Sequence, residues 1–201
     1  MSTAEGTVVL PFSQRRVPRP LRDLPVVDSP DAECRRLIVV GSDADLAGVL
    51  TRLMRTERLD VEVAHVKRPW QARRARTGTA TRVPLIRDET GRVIVGAAYW
   101  LGESGLEKGS PPAKLVGEAV VDDEVLFDGE VTGVRIEPTG TMPGLRATVL
   151  SRHMRPVRWV AGRAAQLGTT GAFVVRDGEL TPRPVRRSTF YRHIQGWLQV
   201  R

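Results

Sequence analysis

The chain holds a single cysteine, Cys34, in 201 residues, which excludes an internal disulfide framework and any cysteine-based metal cluster. Between Glu33 and Arg35-Arg36 it reads as a strand-edge residue. Histidine is nearly as scarce: His65, His153 and His193 lie far apart, so a zinc site built on spaced His ligands is excluded too. Aromatic residues make up 5% of the chain against 41% apolar residues, so the core must be aliphatic. No apolar run approaches the roughly 18 residues of a helical membrane span. Met1 to Leu10 lacks the basic start and apolar centre of a secretory signal, and a cytoplasmic protein is expected. Neither a Gly-x-Ser-x-Gly nucleophile elbow nor a Walker loop occurs.

Arginine is what the chain has in excess. The formal net charge is +8, and only Lys67, Lys108 and Lys114 are lysines. That balance favours an anionic partner: a nucleotide, a phospholipid surface or nucleic acid. The basic residues are scattered, with modest clusters at Arg15-Arg16-Arg19-Arg22, Lys67-Arg68, Arg73-Arg74-Arg76 and Arg183-Arg186-Arg187. Few aromatics interleave with them and no nucleic-acid-binding motif is present. The expectation is affinity for an anionic ligand, a nucleotide or phospholipid head group, with peripheral contact at a membrane and no specific nucleic-acid target.

Residues 1–34 carry Pro11, Pro18, Pro20, Pro25 and Pro30 among charges and predict an extended, proline-rich arm. Residues 35–82 predict a small α/β lobe. Leu37-Ile38-Val39-Val40 is a β-branched run suited to a strand buried on both faces. Leu46, Val49, Leu50, Leu53 and Met54 then recur at helical spacing. Ser42 followed by Asp45 predicts a capping-box start, so a helix from Ser42 or Asp43 to about Thr56 is expected. Leu59 to Val66 alternates as a second strand, giving a β-α-β unit with a parallel pair. Residues 67–82 are basic and contain Trp70, placed to anchor a short helix.

Two readings of Gly41-Ser42-Asp43-Ala44-Asp45 stand side by side. A helix amino end can hold phosphate through free backbone N–H groups and the dipole. The same five residues can equally be the corner between strand and helix, because Asp43 and Asp45 repel phosphate unless a metal is bound.

Residues 83–201 predict a β-rich lobe. Val83 to Asp88 and Arg92 to Tyr99 flank Asp88-Glu89-Thr90-Gly91 as a hairpin. The glycine- and proline-rich stretch 103–114 predicts a flexible loop. Strands are expected over 115–121, 124–127, 130–136, 145–150, 158–166, 172–175 and 186–193. Asp-Gly pairs at 128–129 and 177–178 predict turns. The acidic groups at 122–124, 128–130 and 177–179 are read as turn chemistry unless two converge on one pocket. Ser188 to Val200, with Phe190, Tyr191, Trp197 and Leu198, should dock against the rest of the chain. The fold class is therefore α/β plus mostly-β, a small β-α-β lobe followed by an antiparallel β-sandwich-like lobe.

Taken in order, these segments resemble the catalytic domain of the bacterial diacylglycerol kinase family, lipid kinases related to the NAD kinases. Val39-Val40-Gly41-Ser42-Asp43-Ala44-Asp45 stands where that family has a strand ending in Gly-Gly-Asp-Gly-Thr. Val83 to Ala98 is similar to its hairpin into the second domain, and Met142-Pro143-Gly144-Leu145-Arg146 to its Asp-Asp-Gly-Leu-Leu-Asp segment. Val174-Val175-Arg176-Asp177-Gly178-Glu179 matches its late Val-x-x-Asp-Gly-Glu turn. The resemblance implies ATP and Mg²⁺ as cofactors, Gly41, Ser42 and Asp43 as nucleotide contacts, and Asp177 as the general base. The departures are as informative. No first strand and helix are read in residues 1–34. Thr77-Gly78-Thr79-Ala80 only echoes the Gly-Thr-x-Asn-Asp element. Met142, Pro143 and Arg146 replace aspartates that the family links to metal. What the resemblance implies is a reduced lipid-kinase-like protein with weak or no phosphoryl transfer. The alternatives are a non-catalytic protein- or membrane-surface module and, third, an active ATP-dependent lipid kinase.

Overall fold

The computed structural model describes residues 6–13, 15–102 and 114–201. It divides into two units, residues 1–83 with 194–201 and residues 84–193.

In the first unit β1 (Thr7–Pro11), β2 (Arg36–Val40) and β3 (Glu62–Val66) lie parallel and side by side. The helix α1 (Asp43–Arg55) joins β2 to β3, and α2 (Ala72–Thr77) leads from β3 to β4 (Ala80–Val83). All five residues of β2 are buried, which its unbroken apolar run demands. The α1 helix starts and stops as the capping pattern predicts, with Ser42 at its N-cap and Leu46, Val49, Leu50 and Leu53 on its buried stripe. Arg36, the polar member of β2, is buried against Glu62 and donates to the carbonyls of Ala75, Arg76 and Gly78. A buried cation thereby closes the carbonyl end of α2.

Two expectations need correction. The segment 1–34 is not an extended arm. Thr7–Pro11 forms a strand whose Val8, Val9 and Leu10 are buried, and Leu21 is buried beneath the same sheet in a core with Val9 and Ile38. Pro18, Pro20, Pro25 and Pro30 fall in the connection to β2, where no ladder bond is required of them. That connection covers the sheet edge: Val9 N–H donates to the Pro25 carbonyl and Val27 N–H to the Val9 carbonyl, both at 2.9 Å. A first strand is therefore present, and among the described residues the chain from Phe12 to Cys34 carries one turn of 3₁₀ helix, at Arg19–Leu21.

The second correction concerns the C-terminal segment, which does not stay with the β-rich lobe. Its final strand, β16 (Trp197–Val200), inserts between β3 and β4 of the first unit, parallel to β3 and antiparallel to β4. Trp197 and Val200 are buried there. Gly196 permits the close pass, since a Cβ would lie 2.2 Å from the Val83 carbonyl oxygen.

The second unit is antiparallel throughout its described pairings. Its strands are β5 (Ile86–Asp88), β6 (Val93–Ile94), β7 (Ala98–Leu101), β8 (Leu115–Val121), β9 (Glu124–Val131), β10 (Gly133–Pro138), β11 (Leu145–Leu150), β12 (Pro156–Gly162), β13 (Ala164–Arg176), β14 (Glu179–Leu180) and β15 (Val185–Arg192). One half of β13 pairs with β8 and β15, and its far end pairs with β7 and leads on through β10 and β11 to β12. The register shifts between Gly168 and Ala172, so a single long strand serves two leaves. Trp100, Ile136 and Ala147 from one leaf and Ala119, Leu167 and Phe190 from the other share one core. Trp100 and Phe190 meet there with ring centroids 5.9 Å apart. This is the sandwich-like lobe that the alternating pattern predicts.

The expected strand over 158–166 is two strands broken at Arg163. The Asp122 carboxylate accepts the N–H groups of Arg163 and Ala164 at 2.9–3.0 Å and turns the chain. The loop expected over 103–114 lies, apart from Lys114, outside the described residues.

Candidate functional site

The turn after β2 is closed by its own side chains. Asp45 Oδ2 accepts from the Ser42 N–H and the Ser42 hydroxyl at 2.7 Å each, and Ser42 Oγ accepts from the Asp45 N–H at 3.2 Å. A Cβ on Gly41 would sit 2.7 Å from Asp45 Oδ2. Glycine here makes room for the Asp45 carboxylate, which takes the Ser42 N–H that a helix amino end could otherwise offer to an anion. Asp43 is engaged as well: its Oδ2 lies 2.5 Å from Lys67 Nζ, and its Oδ1 lies 3.8 Å from His65 Nδ1.

His65 ties β3 to this turn. Its Nε2 lies 3.2 Å from the Gly41 carbonyl oxygen and 3.1 Å from that of Ser42. Carbonyls only accept, so Nε2 carries the proton. Burial pushes the imidazole below its ordinary value of 6.5, outweighing the Gly41 carbonyl and the Asp43 charge that act the other way. The folded chain therefore resists protonating His65 more than the unfolded chain does. Stability should hold above the unfolded value and fall as pH drops through it toward the lowered folded one. His193 is lowered also, by burial first and then by Arg87, and adds in the same direction. Thermal melts between pH 7.5 and 5 (on either side of the unfolded value near 6.5) should lose stability on acidification, less steeply in His65→Gln. An equal slope in the variant would remove His65 from this account.

Beside His65 lies a cavity of about 490 Å³ whose lining includes Trp70, Gln71, Arg74, Gln199 and Arg201. The Arg74 guanidinium makes no ion pair or hydrogen bond with the described residues. Arg201 is steadied by its Nε bond to Gln199 Oε1 at 2.7 Å. Trp70 is 69% exposed, with the Arg68 guanidinium 4.9 Å above its ring. A flat aromatic face and two cations can receive a planar group and a phosphate. Sequence reasoning placed Trp70 in a helix anchor and counted Arg74 in a basic cluster. The available signal was the absence of any acid from Val63 to Arg87.

Asp177 belongs to the second unit. It opens the β13–β14 turn with φ 49°, followed by Gly178 at φ 92°, the pair of positive angles that an Asp-Gly hairpin turn requires. Its Oδ1 accepts from Gly96 N–H at 2.7 Å and Ala97 N–H at 3.1 Å, and its Oδ2 from Val95 N–H at 3.0 Å. This carboxylate is spent on fixing the β6–β7 connection. Thr77-Gly78-Thr79 serves packing: a Cβ on Gly78 would lie 2.3 Å from the Arg201 carbonyl oxygen. Arg146 bonds Glu137 through Nε at 2.9 Å and Nη2 at 2.6 Å, and stacks 4.1 Å over Trp159. Met142 is exposed.

Mg²⁺ does not fit these residues. It needs carboxylates free to face phosphate oxygens, whereas Asp43 faces an ammonium and Asp45 accepts from the Ser42 N–H and hydroxyl. Among the described residues no three His, Cys, Asp or Glu side chains converge on one point.

No family model matches the chain, and no curated protein matches it in sequence. Solved structures do match it in shape. A protein described as a diacylglycerol kinase, from Bacillus anthracis str. Sterne, aligns over 100% of this chain and 98% of its own, with TM-score 0.68 and 12% identity. An NAD kinase from Archaeoglobus fulgidus, in complex with ATP, aligns over 97% of this chain and 93% of its own, with TM-score 0.61 and 12% identity. Yeast NADH kinase complexed with NADH aligns over 96% and 73%, with TM-score 0.52 and 10% identity. The protein has the fold of these lipid and dinucleotide kinases.

Proposed function

We propose that this chain is a reduced lipid-kinase-like protein that binds a phosphate-bearing ligand, a nucleotide or a phospholipid head group, and transfers phosphate weakly or not at all. The observation that carries the binding half is the cavity beside His65, with the unpaired Arg74 and the exposed Trp70 on its wall. Kinases of the same fold that hold ATP and NADH support a nucleotide as occupant. Loss of transfer follows from physical requirements. Phosphoryl transfer needs positioning, metal and charge neutralisation. Here Asp45 takes the Ser42 N–H, Lys67 neutralises Asp43, and Arg146 stands where the resemblance expects a metal carboxylate. A general base contributes about 10²–10⁴-fold, and only once the phosphoryl group is held.

Calorimetry with ATP, NAD and short-chain anionic phospholipid, with and without Mg²⁺, tests the binding half. One of these should bind weakly, decline with salt, be indifferent to Mg²⁺ and lose about tenfold in affinity in Arg74→Ala. Purified protein with ATP, Mg²⁺ and diacylglycerol should phosphorylate no lipid above background. Turnover abolished by Asp177→Asn would make the protein an active kinase instead. No binding of any phosphate compound would leave the surface-module reading.

A further inference from the structure

We propose that the surface around the β3–α2 turn docks the protein on an anionic lipid bilayer, with the Trp70 indole seated among the head groups. The proposal goes beyond the cavity's occupant; Trp70 and Arg74 also stand on the cavity wall, so the test turns on cations outside it. Trp100 and Trp197 are buried and Trp159 is half-buried, whereas Trp70 is 69% exposed. A large aromatic left in water calls for an explanation, and this one is held out rigidly. Gln71 Oε1 accepts from the N–H groups of Lys67 and Arg68 at 2.8 Å each, stapling the turn on which Trp70 stands.

Cations surround it. Lys67, Arg68, Arg73 and Arg74 are exposed on the same turn and helix, and Arg15 joins them by donating to the Lys67 carbonyl at 3.3 Å. No aspartate or glutamate occurs from Val63 to Arg87. The carboxylate reaching this turn is Asp43, already paired with Lys67. Arginine and lysine near an anionic leaflet are drawn to it, and tryptophan partitions to the head-group layer, where its ring is half in and half out of water. Single-stranded nucleic acid would be met by successive aromatic platforms. This surface offers one indole, and its own Arg68 covers one face of that ring.

The test is co-sedimentation with phosphatidylcholine vesicles and with the same vesicles containing phosphatidylglycerol, alongside tryptophan quenching by brominated acyl chains. The protein should pellet with anionic vesicles, less so as salt rises, and its fluorescence should be quenched. Trp70→Phe should still pellet but lose most of the quenching. The double variant Arg68→Glu/Arg73→Glu, which leaves the cavity lining untouched, should partition about tenfold less or weaker still, while Arg183→Glu/Arg187→Glu, on the other unit, should behave as the parent. Melting curves confirm that each variant is folded. Failure to pellet with anionic vesicles would overturn the proposal. So would pelleting that neither brominated lipid nor the Arg68/Arg73 reversal affects. An RNA oligonucleotide that binds and quenches Trp70 where vesicles do not would assign the surface to nucleic acid. Because soluble ligands are titrated without vesicles, failure here leaves the calorimetric test of the cavity intact.

Discussion

Asp88→Ala should destabilise the second unit by about 3–5 kcal/mol, because it leaves the buried Arg176 guanidinium with a distant partner, Glu89 Oε1 at 3.9 Å. Asp88 is 0% exposed and Arg176 6%, with Asp88 Oδ2 lying 2.5 Å from Arg176 Nε. The Nε–H is not aimed along that line, so charge rather than a formed hydrogen bond holds the pair. The other oxygen, Oδ1, accepts from Thr90 N–H, the Thr90 hydroxyl and Arg92 N–H at 2.7–2.9 Å. One side chain therefore closes the β5–β6 hairpin and neutralises Arg176 beneath it. The melting temperature should fall by about 10 °C or more. Asp88→Ala combined with Arg176→Met should recover much of the loss, since replacing both members by apolar groups removes the unpaired charge. Denaturant melts of the two variants measure this. A single variant no worse than the double one would show that the ion pair does not matter to the core.

Ending the chain at His193 should cost the first unit its fold. That truncation removes β16 from between β3 and β4 and leaves β4 without the strand it pairs with. It also withdraws Trp197 and Val200 from the interior, each side chain worth about 1.5–3 kcal/mol when buried. Both α-helices, α1 and α2, lie in that unit. Loss of the helical circular-dichroism signal at room temperature is the expected result, with β signal from the second unit retained. Trp197→Ala is a milder probe and should cost about 3–5 kcal/mol. A truncated protein that keeps its helical signal and melting temperature would show β16 to be accessory.

Local patterns carried much of this fold in plain view. The Leu37–Val40 run, the Leu46–Met54 stripe and the Ser42/Asp45 cap specify strand, turn and helix through contacts a few residues apart, and the structure places α1 at Asp43–Arg55 accordingly. The Asp88–Gly91 hairpin and the Asp177-Gly178 turn were legible for the same reason, but the same signature at Asp128-Gly129 is no turn: it lies inside β9, paired with Glu118 and Gly117 of β8. Proline content misled at residues 7–11, because prolines in the following connection said nothing about the apolar strand before them.

The candidate site divides along the same line. From sequence alone Gly41, Ser42, Asp43 and Asp177 could be named by their positions in motifs, and Arg146 could be seen to be unfit for metal. Of their contacts the Ser42–Asp45 cap was within reach, three residues apart; the partners of Asp43 and Asp177 lie far away along the chain. Asp177 meets the amides of residues 95–97, Asp43 meets Lys67, and Arg74 shares a cavity with Arg201. Chain order and local chemistry determined by themselves β2, α1, β3, the turns at 88–91 and 177–178 and the basic character of this protein. Only tertiary structure decided that β1 and β16 complete the first sheet, that Asp43 meets Lys67 and His65, and that a tryptophan stands in water among arginines. Those outcomes depend on which distant surfaces find room for one another, and spacing along a chain does not encode that.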